Sequence, residues 1–493
     1  MSSILTNTSA MVALQTLKGI NSNLAQTQNE ISTGKSVASA KDNSAVWAIS
    51  KVMESDVKGF QAISESLSLG QSTVAVARNA SETVTDLLTD IKGKIVASQE
   101  ENVDRSKIQT DIDALRSQIN SVVGAAQFNG LNLITGTEDV NVLSSLDRAS
   151  NGSVTASNIT VNRQDLSTSA GSLGTGTSLS ANATASAAAA VNTAVSETLT
   201  IAADADVSAD AFSVTVGGST VSFGAGELTG DQDAAALAIN NAINALGLSG
   251  VSASVATNVI TISSTRAFED VALTALKNGA GTGVTLSATE IGERAENITF
   301  SSSATVNEGD GYQVTVGSDT FTYVAVQNET FEDVANGLKI AVDAGGLTGI
   351  TTQVATNSSG AFQLKVDNDG TSLAFSASGA AGGTASGGLF GLGGIDVTSD
   401  AGANAALGNI ETLINSSIDA AAAFGSAQGR IETQSDFIGK LTDSLKSGIG
   451  TLVDADMEEA SARLQALQVQ QQLGVQSLSI ANQAPQSILS LFR

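Results

Sequence analysis

From about residue 42 to 97, and again from 405 to 447, apolar residues recur at alternating steps of three and four. The first series is Phe60, Ile63, Leu67, Val74, Val84, Leu88, Ile91, Ile95; the second is Ile410, Leu413, Phe424, Ile431, Ile438, Leu441, Leu445. Such alternation marks helices that wind around one another. Several hundred residues of different character lie between the two series. The ends of the chain must therefore meet, and the middle must loop out from them.

Composition narrows what this hairpin can be. The chain has 493 residues, 42% of them apolar but only 3% aromatic, with a single Pro. Ala, Val, Ile and Leu must carry the packing, and long helices meet almost no breaker. The length suggests about three domains. Net charge is −26 and the isoelectric point near 4.2, so neither nucleic acid nor an anionic membrane is expected as a partner. There is no Cys and no His, which removes disulfides, thiol chemistry, the commonest metal ligand and the usual general base. No enzyme activity, cofactor or metal is expected. No apolar run is long enough to cross a membrane as a helix. The opening Met-Ser-Ser-Ile-Leu-Thr-Asn-Thr lacks the basic and apolar regions of a cleavable secretory signal, so export is expected by a route that reads something else.

About residues 4–33, Leu17, Leu24 and Ile31 stand seven apart, with Leu14 and Ile20 beside them and Asn, Gln, Ser and Thr opposite. This reads as a nearly uncharged amphipathic helix, capped at its end by Gly34. Asp42, Asn43 and Ser44 offer capping oxygens for a helix reaching about residue 97. Asn102 or Asp104 starts a third, with Ile108, Ile112, Leu115, Ile119, Val122 and Ala126 on its core face. At Gln127-Phe128-Asn129-Gly130-Leu131-Asn132 the period becomes two, with Asn-Gly as the turn. After Gly402 the helical pattern returns. It is expected to break at Gly448-Ile449-Gly450 and to restart at Asp454 or Asp456. The last helix carries Met457, Ala460, Leu464, Leu467 and Leu478 against a Gln-rich face.

Between about 150 and 402 Ser, Thr, Gly and Ala dominate, and the segment repeats itself. Asp210-Ala-Phe-Ser-Val-Thr-Val-Gly217 answers Asp310-Gly-Tyr-Gln-Val-Thr-Val-Gly317, and residues 248–258 answer 347–357. Each copy reads as a hairpin (Phe212, Val214, Val216 with Val221, Phe223; Tyr312, Val314, Val316 with Phe321, Tyr323). A helix follows (234–246; 331–344), and two strands close the copy (251–255 and 259–262; 350–354 and 362–366). The flanks 197–201 and 296–300 also correspond. Two copies are too few for a solenoid, so duplicated α+β modules are the simpler account.

Local motifs for chemistry are weak. Gly34-Lys35-Ser36 ends like a phosphate-binding loop, but Asn29 stands where the first Gly belongs and no strand precedes it. Asp367-Asn-Asp-Gly370 opens like a calcium loop, but Ser378 occupies the twelfth position, so a turn is expected. Asp204, Asp206 and Asp210 read as a solvated acidic loop. No carboxylate pair is set in an apolar environment as hydrolysis without His would need.

The terminal helices are more informative. A solitary surface helix normally carries charge on its solvent side. Here Gln, Asn, Ser and Thr stand there instead, which suits close packing against further copies of the same chain, with folding completed on assembly.

At this point the residues resemble those of the bacterial flagellins. Ile31-Ser-Thr-Gly-Lys35 and Ala40-Lys-Asp-Asn-Ser-Ala45 are similar to that family's N-terminal pattern, and Gln127-Phe-Asn-Gly130 to the motif closing its N-terminal helices. Gln428-Gly-Arg430, Asp454-Ala-Asp-Met457 and the end Ala481-Asn-Gln-Ala-Pro-Gln-Ser-Ile-Leu-Ser-Leu-Phe-Arg493 resemble its C-terminus. The resemblance covers about 1–150 and 403–493, with alphaproteobacterial members the most similar.

It implies an α + β multidomain fold with a helical coiled-coil core built from both termini. Residues 1–43 with 451–493 would form an inner coiled coil, and 44–150 with 403–450 a helical rod with a β-hairpin. Residues 151–196 would be a linker and β segment, 197–295 the first outer module and 296–402 the second. Filament-core packing falls to Leu14, Leu17, Leu24, Ile31, Leu464, Leu467, Leu478, Leu489 and Leu491. Rod packing falls to Phe60, Ile63, Leu67, Leu88, Ile91, Ile95, Ile112, Leu115, Ile119, Phe424, Ile431 and Leu441. The role implied is a secreted structural subunit that polymerises with itself, and with other flagellins, into the extracellular filament for swimming. Its helpers would be the flagellar export apparatus, an export chaperone and a filament cap. Many members carry Leu-Gln-Arg-Val-Arg-Glu-Leu in the second helix, which the vertebrate flagellin receptor grips. This chain has Leu88-Thr-Asp-Ile-Lys-Gly-Lys-Ile95, with Asp90 and Gly93 at the Arg and Glu places, and so is expected to evade it. Two other readings are a hook–filament junction protein and a secreted adhesin with a helical stalk. Residues 448–450 and 34–41 are expected as hinges.

Overall fold

The computed structural model describes residues 7–149, 153–279 and 283–489. The helices are α1 (Thr8–Thr33), α2 (Ser44–Ser98), α3 (Arg105–Ala125), α4 (Gln232–Ala245), α5 (Phe331–Ala344), α6 (Asp400–Val453) and α7 (Met457–Leu489). Before α4 come β1 (Gln127–Phe128), β2 (Leu131–Asn132), β3 (Val140–Arg148), β4 (Val154–Val161), β5 (Ala183–Ala185), β6 (Ala189–Ala190), β7 (Val195–Ile201), β8 (Phe212–Val216) and β9 (Ser219–Phe223). Between α4 and α5 lie β10 (Val251–Ala256), β11 (Val259–Ser264), β12 (Val271–Lys277), β13 (Val284–Leu286), β14 (Glu290–Ile291), β15 (Glu296–Phe300), β16 (Gly311–Val316) and β17 (Asp319–Val324). Strands β18 (Ile350–Thr356), β19 (Phe362–Asn368) and β20 (Leu373–Ala380) precede α6. The fold is mixed α + β, with helices at both ends of the chain and sheets in the middle. The chain divides into two compact units, Met1–Ser72 with Asn141–Val161 and Ala427–Arg493, and Thr73–Val140 with Asn162–Ser426.

In the first unit α1 and α7 run antiparallel. The Asn7 side chain donates to the Ala481 carbonyl (2.8 Å), and the Gln471 amide donates to Asn21 (2.7 Å). Gly34 caps α1 at φ 69°, a left-handed conformation that glycine adopts without a Cβ penalty. The expected break at 448–450 is absent: α6 continues to Val453, and a Cβ at Gly448 would lie 3.2 Å from Met53 of α2. The helix interrupts at 454–456 instead. There the Ser36 N–H donates to the Val453 carbonyl (2.7 Å) and the Ala455 N–H to Gly34 (3.0 Å). Backbone bonds thus clamp the 34–41 connector to this break, where the sequence had suggested two separate hinges. The β3–β4 hairpin packs on α2, since a Cβ on Gly70 would lie 2.7 Å from Val142. The Gln434 side chain of α6 donates to the Ser144 carbonyl (2.9 Å).

In the second unit the later half of α2, the earlier half of α6 and α3 bury Leu88, Ile91, Ile95, Ile112, Ile119 and Phe424, all at 0% exposure. Asp104 caps α3. Asn129 (φ 51°) and Gly130 (φ 81°) form the expected turn between β1 and β2.

The two modules have one plan. The first has sheets β10-β11-β7-β13 and β14-β12-β8-β9 with α4, around a core including Phe212, Ile239 and Ile260. The second has β18-β19-β15-β5 and β17-β16-β20-β6 with α5, around Phe300, Tyr312 and Phe331. Each is richer than a hairpin, a helix and two closing strands. A further long strand (β12, β20) pairs with the first strand of the hairpin, and a two-strand ribbon closes both sheets. The ribbons also repeat in sequence: Thr184, Ser186 and Ala187 recur as Thr285, Ser287 and Ala288. They make the same bonds. Ser186 N–H donates to Asn297 and its Oγ accepts from the Asn297 N–H (both 2.8 Å). Ser287 N–H donates to Thr198 (2.9 Å) and its Oγ accepts from the Thr198 N–H (2.7 Å). The ribbon preceding the first module, β5–β6, closes the second, and β13–β14 closes the first. The first module is therefore continuous, 195–291, and sits inside the second, which is assembled from 183–190 and 296–380. The stretch 151–196 thus supplies β4 and this ribbon as well as connection.

Candidate assembly surface

The helical pair that the sequence marked for packing is α1 and α7. Their facing residues follow steps of three and four: Ala13, Leu17, Ile20, Leu24, Thr27 and Ile31 on α1, and Ala460, Leu464, Leu467, Gln471, Gly474, Leu478 and Ala481 on α7. Thr27, Ala460 and Leu467 are buried, and the others are half-buried. Gly474 lets the helices approach, since a Cβ there would meet Leu17 at 3.1 Å. Leu17, Leu24, Ile31, Leu464, Leu467 and Leu478 are thus brought into one seam. Leu14 is not: it lies beside the seam, 48% exposed. Leu489 ends α7, and Leu491 lies outside the described residues.

The seam occupies one side only. Val469, Leu473 and Ile480 are 56%, 59% and 69% exposed. At 3.6 residues per turn they share a stripe about half a turn from Leu467 and Gln471. On α1, Met11 and Val12 are 65% and 64% exposed. After Arg463 the rest of α7 carries no charged residue. A sequence reading that saw only Gln, Asn, Ser and Thr opposite the seam missed this apolar stripe, although its 4-and-7 spacing was available as a signal.

The rod residues separate by unit. Ile63, Leu67 and Ile431 are buried in the first unit, where Phe60 and Leu441 are half-buried. In the second unit Leu115 is half-buried beside the fully buried set above. Polar members of the same seams escaped sequence reasoning. Ser81 and Ser417 are both at 0% exposure. The Ser417 hydroxyl donates to the Ser81 carbonyl (3.1 Å) and lies 2.9 Å from the Thr85 hydroxyl. They keep the three-four step while presenting no apolar side chain. Asp90 and Gly93 lie on the exposed side of α2, and a Cβ at Gly93 would meet nothing within 4 Å.

The acidic motifs resolve into structure. Asp204 and Asp210 are not a solvated loop: both close on Lys277, at 2.8 and 2.6 Å. Hydrogen bonds from these carboxylates hold the Lys277 ammonium above its usual range, and the bond from Lys277 lowers Asp204. Asp206 stays at the surface, accepting the Ser208 N–H. Asp367 and Asn368 end β19, and Asp369 and Gly370 lead out of it. Both Asp367 oxygens accept from the Arg294 guanidinium (2.8 and 2.6 Å), which that bond pushes upward. Among the described residues no group of three or more His, Cys, Asp or Glu is arranged to hold a metal. No described helix is long and apolar enough to cross a membrane.

The bacterial flagellin N-terminal helical region matches residues 4–139, and the C-terminal helical region matches 407–492. Flagellin A of Rhizobium meliloti is 32% identical over the full length of both chains. Flagellin D of Rhizobium meliloti strain 1021 is 31% identical, again over the whole of both. A Brucella melitensis flagellin is 27% identical over the same full span. Among solved structures, Xanthomonas campestris FlgL covers 81% of this chain and 99% of its own at 12% identity, with a TM-score of 0.30, too low to bear on the fold. The 32% identity with a Rhizobium flagellin over the full length of both chains, together with the family match at both helical termini, makes the chain a member of the bacterial flagellin family.

Proposed function

We propose that this chain is the repeating subunit of a flagellar filament and that the α1–α7 pair is its polymerisation element. The observation that carries this is the exposed stripe Val469, Leu473, Ile480 on a helix whose other side is already satisfied. Burying the exposed part of each side chain against a neighbour contributes roughly 1 kcal/mol per residue. Repeated head-to-tail, such contacts do not close and so build a helical tube. The work is structural; the chemistry of the family is polymerisation rather than turnover. In this reading residues 1–43 with 451–493 line the filament core, 44–150 with 403–450 form the rod around it, and the two modules face outward. Leu17, Leu24, Ile31, Leu464, Leu467 and Leu478 make the intrachain seam, and Leu14 joins the contact with neighbours.

The strongly acidic net charge favours dispersed filaments in water. Delivery of the subunit to the cell exterior would use the flagellar export apparatus with a chaperone, and the growing end a cap; other flagellins of the same cell would share the lattice. Asp90 and Gly93 on the open side of α2 would deny the vertebrate receptor its Arg and Glu contacts. Electron microscopy of sheared cell-surface material tests the main reading: filaments composed mainly of this chain are expected. Deleting residues 483–493 should abolish them while both modules stay folded; normal filaments from that truncation would refute the terminal-core role.

A further inference from the structure

We propose that the corner between β17 and α5 is a proton-operated latch: with Glu329 protonated, the second module is closed against the 163–166 segment and α6, and loss of that proton opens it. Glu329 lies in a cavity of about 340 Å³. One carboxyl oxygen accepts the Tyr323 hydroxyl (2.6 Å), the other the Val326 N–H (2.9 Å). Charged residues from several elements line the cavity. Arg163 and Asp165 come from the extended segment before the modules, Glu308 from the loop before β16, Asp333 from α5 and Asp419 from α6. Four other carboxylates and one guanidinium thus line the cavity that holds Glu329. That guanidinium is already committed to the Thr135 carbonyl (3.1 Å), and its Nε is buried without a partner. Polar contacts reach across, among them the Asn162 amide donating to Gln327 (2.9 Å) and the Lys339 ammonium of α5 donating to Asn409 of α6 (2.6 Å).

Burial, with the Asp333 charge adding to it, pushes the Glu329 carboxyl up to about 7, while the Tyr323 hydrogen bond acts in the opposite direction. Because the folded value is raised, the closed corner is most stable below the unfolded range near 4.5 and loses that stability as pH rises toward 7. The opening equilibrium should grow on the order of 10²-fold across that window.

Hydrogen exchange of the full-length chain, corrected for the pH dependence of intrinsic exchange, reads this directly in peptides covering 321–334. Between about pH 5 and about pH 8 the wild type should open on the order of 10²-fold more. Glu329→Gln should be flat, and peptides of the first module should be flat in both. Tyrosine emission gives a second readout, because both tyrosines, Tyr312 and Tyr323, belong to the second module. Tyr323→Phe removes the bond that holds the carboxyl down, so its transition should move to higher pH. The same pH dependence in Glu329→Gln as in wild type, or none in wild type, overturns the proposal. If Glu329→Gln fails to fold, an unmoved transition in Tyr323→Phe overturns it equally.

Discussion

Replacing Gly337 by Ala should destabilise the second module, although an Ala in mid-helix is intrinsically preferred to Gly by about 1 kcal/mol. Gly337 lies inside α5, and a Cβ there would sit 2.4 Å from Tyr323 Cδ2 and 2.5 Å from Cε2. The ring cannot simply move aside. Its hydroxyl is tied to Glu329, and it packs against Phe390 with ring centroids 6.0 Å apart. Overpacking of this kind costs about 1–3 kcal/mol, and displacing a buried donor from its acceptor costs about 1–3 kcal/mol more. Against the helix gain, a net loss of about 1–5 kcal/mol is expected, lowering the module's melting temperature by roughly 4–8 °C per kcal/mol. Near-ultraviolet circular dichroism in a Trp47→Phe background isolates this transition in its tyrosine band, since the chain's two tyrosines are both in this core. Gly93→Ala is the control. With nothing within 4 Å of its Cβ, it should stabilise the helical region by about 0.5–1 kcal/mol. A Gly337→Ala protein whose tyrosine signal melts at or above the wild-type temperature would refute the steric reasoning.

Asp367→Ala leaves the Arg294 guanidinium, whose side chain is 11% exposed, without its bidentate partner. The tyrosine-monitored melt should lose about 3 kcal/mol, and added calcium should leave both proteins unchanged. Leu467→Ala, at a position 7% exposed between α1 and α7, should cost about 2–4 kcal/mol and appear as faster hydrogen exchange in α1 with the modules untouched. In a reporter assay for the vertebrate flagellin receptor the wild-type protein should be nearly silent, and the double variant Asp90→Arg, Gly93→Glu should gain activity. Strong wild-type activation would contradict the reading of those two positions.

The helices were legible because their period is written in large apolar residues: Leu88, Ile91 and Ile95 are all fully buried. What escaped was written in other residue types. Ser81 and Ser417 hold core positions through hydrogen bonds, and Gly70 holds one because Val142 occupies the space its Cβ would need. At 448–450 two glycines suggested a break. Each costs a helix about 1 kcal/mol, which the packing of α6 along α2 offsets. The β5–β6 ribbon was invisible for a different reason. Ala183-Thr-Ala-Ser-Ala-Ala-Ala-Ala190 carries no large apolar side chain, and becomes strand only by pairing with residues 298–300 and 373–374. Lys277 likewise meets Asp204 and Asp210 only through the fold, so a cluster of acids alone looked like a solvated loop. The apolar stripe on α7 lies between those extremes, with its spacing legible but its exposure known only once Leu467 and Gln471 are seen to face α1.

Sedimentation of purified wild-type and Leu473→Asp protein under polymerising conditions bears most directly on that stripe. Leu473 is 59% exposed and points away from the α1 seam, so the substitution should leave the monomer's helical circular dichroism unchanged. Wild-type protein should pellet as filaments, and Leu473→Asp should remain in the supernatant at the same concentration. Filaments of Leu473→Asp forming at the wild-type critical concentration would contradict the assignment of this helix face to subunit contact.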